Sequence, residues 1–102
     1  MPADGDEFLV VADDAQTRVL TERYLEQRRL ELVELRQALE KGDFEALWIA
    51  GHHMHGAGGS FGVQKISRLG AALEFSAFER DQLRVVEHLD QLDAFLARVE
   101  VV

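Results

Sequence analysis

Apolar residues recur along most of this chain at spacings of three, four and seven, the rhythm of helices that bury one face. Leu25, Leu32, Leu35 and Leu39 form such a stripe, in a stretch rich in Leu, Glu, Arg and Gln, all good helix formers. Asp13 or Asp14 offers a cap for its start, and a break near Thr21 is expected to divide a short first helix from a long second one. Lys41-Gly42-Asp43 is punctuation: a glycine free to take the left-handed conformation that ends a helix, then an aspartate to cap the next. Phe44, Leu47, Trp48, Gly51, Met54 and Gly58 follow at helical spacing as a core face, up to Gly62. Ile66, Leu69, Gly70, Leu73 and Ala77 mark the next helix, and Arg80-Asp81 offers another cap. Val85, Leu89, Leu92, Leu96 and Val99 then give the narrow seam of bundle packing. The one proline is Pro2, and Phe8-Leu9-Val10-Val11 is the only β-branched apolar run, so residues 1–12 are expected to form an extended or loose arm.

Short connections between amphipathic helices force neighbours antiparallel. The predicted fold is therefore all-α: an antiparallel up-down four-helix bundle over residues 13–102, with a short additional N-terminal helix (residues 13–20) capping one end. Phe75 and Phe78 fall off the stripe of their helix; either the short first helix and the arm cover them or they form an apolar contact patch, and coverage is the expectation.

Composition narrows the function classes. A chain of 102 residues holds one domain, and 47% apolar residues suffice for its core. Without cysteine there is no disulfide, thiol nucleophile or thiolate metal site. The net charge of −8 argues against nucleic acid, whose phosphates need clustered Lys and Arg. No apolar run is long enough for a membrane span, and the acidic N-terminus does not resemble a signal peptide. A cytoplasmic, free-standing monomer is the expectation.

The candidate chemistry lies in Gly51-His52-His53-Met54-His55-Gly56-Ala57-Gly58-Gly59-Ser60-Phe61-Gly62, which holds three of the four histidines and five of the eight glycines. On a wheel of about 100° per residue, His52 lies roughly 120° from the core stripe and should face solvent. Gly56 and Gly59 fall on the same side and leave bare backbone beside the imidazole. Ile49, one turn before, points outward as well, and His55 is the helical neighbour one turn after. Together these residues suggest a docking surface for another protein's active site. An exposed imidazole, with an ordinary pKa of about 6.5, is a competent nucleophile toward a phosphoryl group near neutral pH. Trp48, Ile49, His55 and Gly56, the helical neighbours of His52, include no acid to repel phosphate. His53 and His88 are read as ordinary surface histidines. A metal-binding bundle is the rival reading of His52 and His55, but a third ligand cannot be named, and no metal site is assigned. The glycine run follows a helix and lacks Gly-Lys-Ser/Thr, so it is no nucleotide loop.

His52-x-Met54-x-Gly56-x-Gly58-Gly59-Ser60-Phe61-Gly62, with Leu69-Gly70 and Leu73-Glu74 after it and Leu35-x-x-Ala38-Leu39-x-x-Gly42-Asp43-x-x-x-Leu47 before it, resembles the signature of histidine phosphotransfer (HPt) domains over about residues 17–100. The resemblance implies a four-helix bundle that carries a phosphoryl group on His52. Its partners would be response-regulator receiver domains and a histidine kinase or hybrid kinase. The chain itself would be a carrier and not an enzyme, without a cofactor of its own, and Mg²⁺ would sit on the partner receiver. Ile49, Gly56 and Gly59 would form the receiver-binding surface. One position departs from the family, which usually has lysine where this chain has His55. Lysine is a permanent cation, whereas an imidazole is only partly charged near pH 7, so uptake or retention of phosphate is expected to depend on pH through His55. The alternative is a bundle that docks receivers, or serves a structural role, without being phosphorylated.

Overall fold

A computed structural model describes residues 8–102. Four helices, α1 (Ala15–Glu40), α2 (Phe44–Ala57), α3 (Gln64–Phe78) and α4 (Gln82–Arg98), lie between two-residue strands β1 (Leu9–Val10) and β2 (Glu100–Val101). α1 touches α2 and α4, and α3 touches α2 and α4, which closes the four-membered ring of a bundle. The connections are three to six residues long, so successive helices reverse direction.

Each boundary has a local cause. Asp14 caps α1 by accepting a hydrogen bond from the Thr17 N–H at 2.7 Å. Asp43 and Asp81 do the same for α2 and α4 through Ala46 (3.0 Å) and Arg84 (3.2 Å). Gly42 adopts φ +69°, which lets Gly42 and Asp43 donate back to the carbonyls of Leu39 and Ala38 and close the end of α1. At the end of α3 the corresponding left-handed position is held by a non-glycine residue, Arg80, at φ +55°. Its guanidinium lies 5.6 Å over the Phe44 ring, a contact that helps hold it there.

Most of the predicted stripe positions form the core, with Leu32, Leu39 and Phe44 half-buried against it. Leu25, Leu35, Leu47, Met54, Ile66, Leu69, Leu73, Ala77, Val85, Leu89, Leu92, Leu96 and Val99 are all buried, joined by Phe95. α2 and α3 approach most closely where glycines face each other. A Cβ on Gly51 would stand 2.5 Å from the Glu74 nitrogen, and one on Gly70 would stand 2.5 Å from the Met54 Cβ and 2.6 Å from the His55 nitrogen.

The structure corrects several expectations. Residues 15–20 do not form a helix of their own and there is no break near Thr21, because α1 runs without interruption from Ala15 to Glu40. Thr21 is buried, and its hydroxyl donates to the Phe61 carbonyl at 3.1 Å, across to the one turn of 3-10 helix (Gly59–Phe61) that follows α2. Tyr24 stacks on Phe61, with centroids 4.3 Å apart. The N-terminal half of α1 therefore covers the α2–α3 connection and does not fold as a cap of its own. Of the arm, residues 1–7 lie outside the described residues. The remainder of the arm is tied down: β1 pairs in parallel with β2, Val10 is buried, and Phe8 lies between Phe95 (6.0 Å) and the Arg98 guanidinium (4.0 Å). Phe75 and Phe78 are not covered, being 64% and 72% exposed. No helix among the described residues is long and apolar enough to cross a membrane.

Candidate functional site

The site is built by α2 and α3 together. His52 and His55, one turn apart on α2, expose 58% and 55% of their side chains. Between them reaches Glu74 of α3. One of its carboxylate oxygens lies 2.9 Å from His52 Nδ1 and the other 3.0 Å from His55 Nδ1. An ionised carboxylate only accepts hydrogen bonds, so in this arrangement each Nδ1 carries the proton and donates it. In a neutral ring the Nε2 lone pair is then free, on the edge turned away from Glu74. The bond from His52, with the second from His55, outweighs desolvation and holds the Glu74 carboxyl below its ordinary pKa of 4.5, so it is charged near neutral pH.

Trp48, one turn before His52, stacks on its ring at 5.3 Å between centroids and 9° between planes. The Ser67 hydroxyl of α3 donates to the His55 carbonyl at 2.7 Å and satisfies an acceptor near the end of α2. Beside the imidazoles a shallow groove of about 280 Å³ is lined by Trp48, His55, Ala71, Glu74, Phe75 and Phe78.

His52 and His55 thus stand together and exposed, as the wheel expects. The other expected site residues scatter. Gly56 lies next to His55 with open space beyond its backbone. Gly59 does not continue the strip, because α2 ends at Ala57 and Gly59 starts the 3-10 turn, with the Gln64 side chain 3.3 Å from where its Cβ would be. Ile49 is 40% exposed but lines a different groove, against Glu31, Glu34 and Ala38 of α1 and beside His53.

Three further residues differ from expectation. Trp48 is 37% exposed and serves as a platform for His52, so it is not a core residue. An acid does adjoin His52: Glu74 comes from the neighbouring helix, where a wheel of α2 alone has no view of it. The resemblance quotes Leu73-Glu74, but a motif match does not say that the carboxylate faces the imidazole. His88 is half-buried and bonds through Nδ1 to the buried Ser76 hydroxyl at 2.9 Å, so it is no ordinary surface histidine. Among the described residues no group of three or more His, Asp or Glu side chains is disposed to hold a metal ion, and the short contacts of His52, His55 and Glu74 are hydrogen bonds.

Compared with known proteins, residues 19–101 match the family model described as Hpt domain, from the first turns of α1 to the end of β2. No curated protein and no solved structure matches the chain.

Proposed function

The chain belongs to the Hpt-domain family, and on that premise we propose that it carries a phosphoryl group on Nε2 of His52. Hpt domains serve histidine phosphotransfer in two-component signalling, as phosphocarriers that interact with receiver domains and kinases. The observation that carries the assignment to His52 is its exposed ring, stacked on Trp48 and tethered at Nδ1 by Glu74.

In the forward step the Nε2 lone pair attacks phosphorus. An Nε2–P bond forms, and the P–O bond to a receiver aspartate breaks, the electron pair leaving on the carboxylate. From a kinase donor the bond broken is the P–N bond of its phosphohistidine. Phosphorylation at Nε2 leaves positive charge on the ring while Nδ1 keeps its proton. Glu74 accepts that proton's hydrogen bond and offsets the charge. Trp48 restricts ring rotation, so the nucleophile is held in one orientation before the partner arrives. Mg²⁺ would be held by the partner receiver and not by residues of this chain, and would supply charge neutralisation for the transferring group.

The receiver sits over α2 and α3. Gly56 admits its backbone beside His55. Phe75 and Phe78 extend the apolar contact on the α3 side, and Ile49 contributes on the α1 side. No cofactor of this chain enters the step.

The test is transfer from a phosphorylated receiver domain, followed by intact mass before and after mild acid. An acid-labile gain of one phosphoryl group, with receiver binding kept but the gain lost in His52→Gln, supports the carrier. Binding without any gain in the wild type supports a docking bundle that is not phosphorylated.

A further inference from the structure

The carboxylate that tethers His52 treats a second imidazole in the same way. The exposure and the Nδ1 tether that prepare His52 for attack on phosphorus are both present at His55. The exposures are 58% and 55%, the Nδ1 contacts to Glu74 are 2.9 and 3.0 Å, and in both rings Nε2 is the free nitrogen. We propose that His55 is a second phosphoryl acceptor of this chain, reacting through its Nε2 with acyl phosphates or phosphoramidates. The proposal rests on the reading of His52 as an acceptor and extends it to its neighbour.

The remaining histidines are internal controls. His53 is exposed, but no hydrogen bond fixes its tautomer among the described residues. His88 has an Nδ1 partner, but the partner is the neutral Ser76 hydroxyl and the ring is half-buried. Among the described residues, only His52 and His55 combine exposure with a charged Nδ1 acceptor. The two differ in their surroundings. Trp48 stacks on His52, whereas His55 borders the groove of about 280 Å³, which has room for a phosphoryl group. A small donor can reach either ring. A docked receiver presents a single aspartate and selects one.

With phosphoramidate as donor, Nε2 of His55 attacks phosphorus, the Nε2–P bond forms and the P–N bond breaks, and ammonia leaves with the electron pair. The ring keeps its Nδ1 proton, donated to Glu74, which offsets the new positive charge. The two acceptors exclude each other. Side chains one turn apart on a helix are neighbours, and two phosphoryl groups there would set anions side by side next to the Glu74 carboxylate.

The experiment uses the full chain as wild type, His52→Gln, His55→Gln and the double variant. Each is incubated with phosphoramidate near neutral pH, and the label is mapped by peptide mass spectrometry under alkaline handling. Circular dichroism confirms that these exposed substitutions leave the bundle intact. Each single variant should take up one acid-labile phosphoryl group on the remaining histidine of the pair, and the double variant none. The wild type should divide one group between the two positions. An unlabelled His52→Gln beside a normally labelled His55→Gln overturns the proposal and leaves the reading of His52 standing. Label on His53 or His88 in His52→Gln overturns it too. A wild type that takes up no label from phosphoramidate also overturns the proposal, while the reading of His52 is decided separately by transfer from a phosphorylated receiver.

Discussion

Gly51→Ala tests whether the core between α2 and α3 sets the geometry of the site. The added Cβ would lie 2.5 Å from the Glu74 nitrogen, 2.9 Å from its Cα and 2.9 Å from the Gly70 oxygen, against 3.4 Å for an ordinary contact. All three obstacles are backbone, so no side chain can swing aside and the helices must part by about 0.9 Å. Overpacking of this kind costs about 1–3 kcal/mol. The helix preference of alanine over glycine returns about 0.8–1 kcal/mol. The net loss, up to about 2 kcal/mol, lowers Tm by up to about 16 °C in a domain of this size. The obstacle is Glu74 itself, so the displacement also lengthens its bonds to His52 and His55 and slows phosphoryl uptake. Gly56→Ala is the matched control, because its Cβ would meet nothing within 4 Å. It should stabilise by about 0.5 kcal/mol and weaken only receiver docking. The assays are thermal unfolding by circular dichroism and labelling by phosphoramidate. If Gly51→Ala raises Tm as much as Gly56→Ala does, the close approach of the two helices is not what that glycine serves.

Glu74→Gln keeps a hydrogen-bond acceptor but loses the charge. The loss of about 1 kcal/mol between charged and neutral hydrogen bonds should slow transfer from a phosphorylated receiver by roughly 5–10-fold in rapid-quench measurements, and an unchanged rate would refute the charge-offset role. Burial lowers the His88 pKa below 6.5, so the unfolded chain binds more protons than the native one between the folded value and 6.5, and stability falls as pH drops through that window. Urea unfolding of His88→Gln should show a shallower loss than wild type from about pH 7.5 to about pH 5.5, and parallel curves would count against it. Phe75→Ser and Phe78→Ser sit on exposed side chains and should shift stability by no more than about 0.5 kcal/mol. If these rings contact the receiver, calorimetry should show its binding weakened by about tenfold, and an unchanged Kd would place the interface elsewhere. His55→Lys should flatten the pH dependence of phosphohistidine lifetime, and parallel profiles across pH 5.5–8.5 would end that idea.

Much of the bundle can be read from the chain because its causes are local or periodic. Asp43, Gly42 and Asp81 announce helix ends by chemistry that acts within a few residues, and the leucine seam of α4 reports burial at a fixed spacing. The errors fall where a residue answers to something distant in sequence. Thr21 looks like a weak point in a helix, but its hydroxyl is satisfied by the Phe61 carbonyl 40 positions away, so α1 continues through it. Trp48 sits at core spacing, yet its plane is used by His52. Phe75 and Phe78 suggest a cover because exposed aromatic rings are costly, and the structure leaves them bare beside the groove.

Glu74 shows the same limit at the site itself. A helical wheel ranks the neighbours of His52 along one helix and so reports an environment free of acid, but the decisive neighbour comes from α3, carried within reach by glycines on both helices. The glycines of α2 therefore divide their work. Gly51 faces inward and lets α3 bring a carboxylate to the imidazoles, while Gly56 faces outward onto open space. An exposed histidine alone would be a nucleophile of undefined tautomer and orientation. Fixed by Glu74 at Nδ1 and by Trp48 across its face, His52 presents one nitrogen, and the tight α2–α3 contact is what makes that presentation a property of the fold.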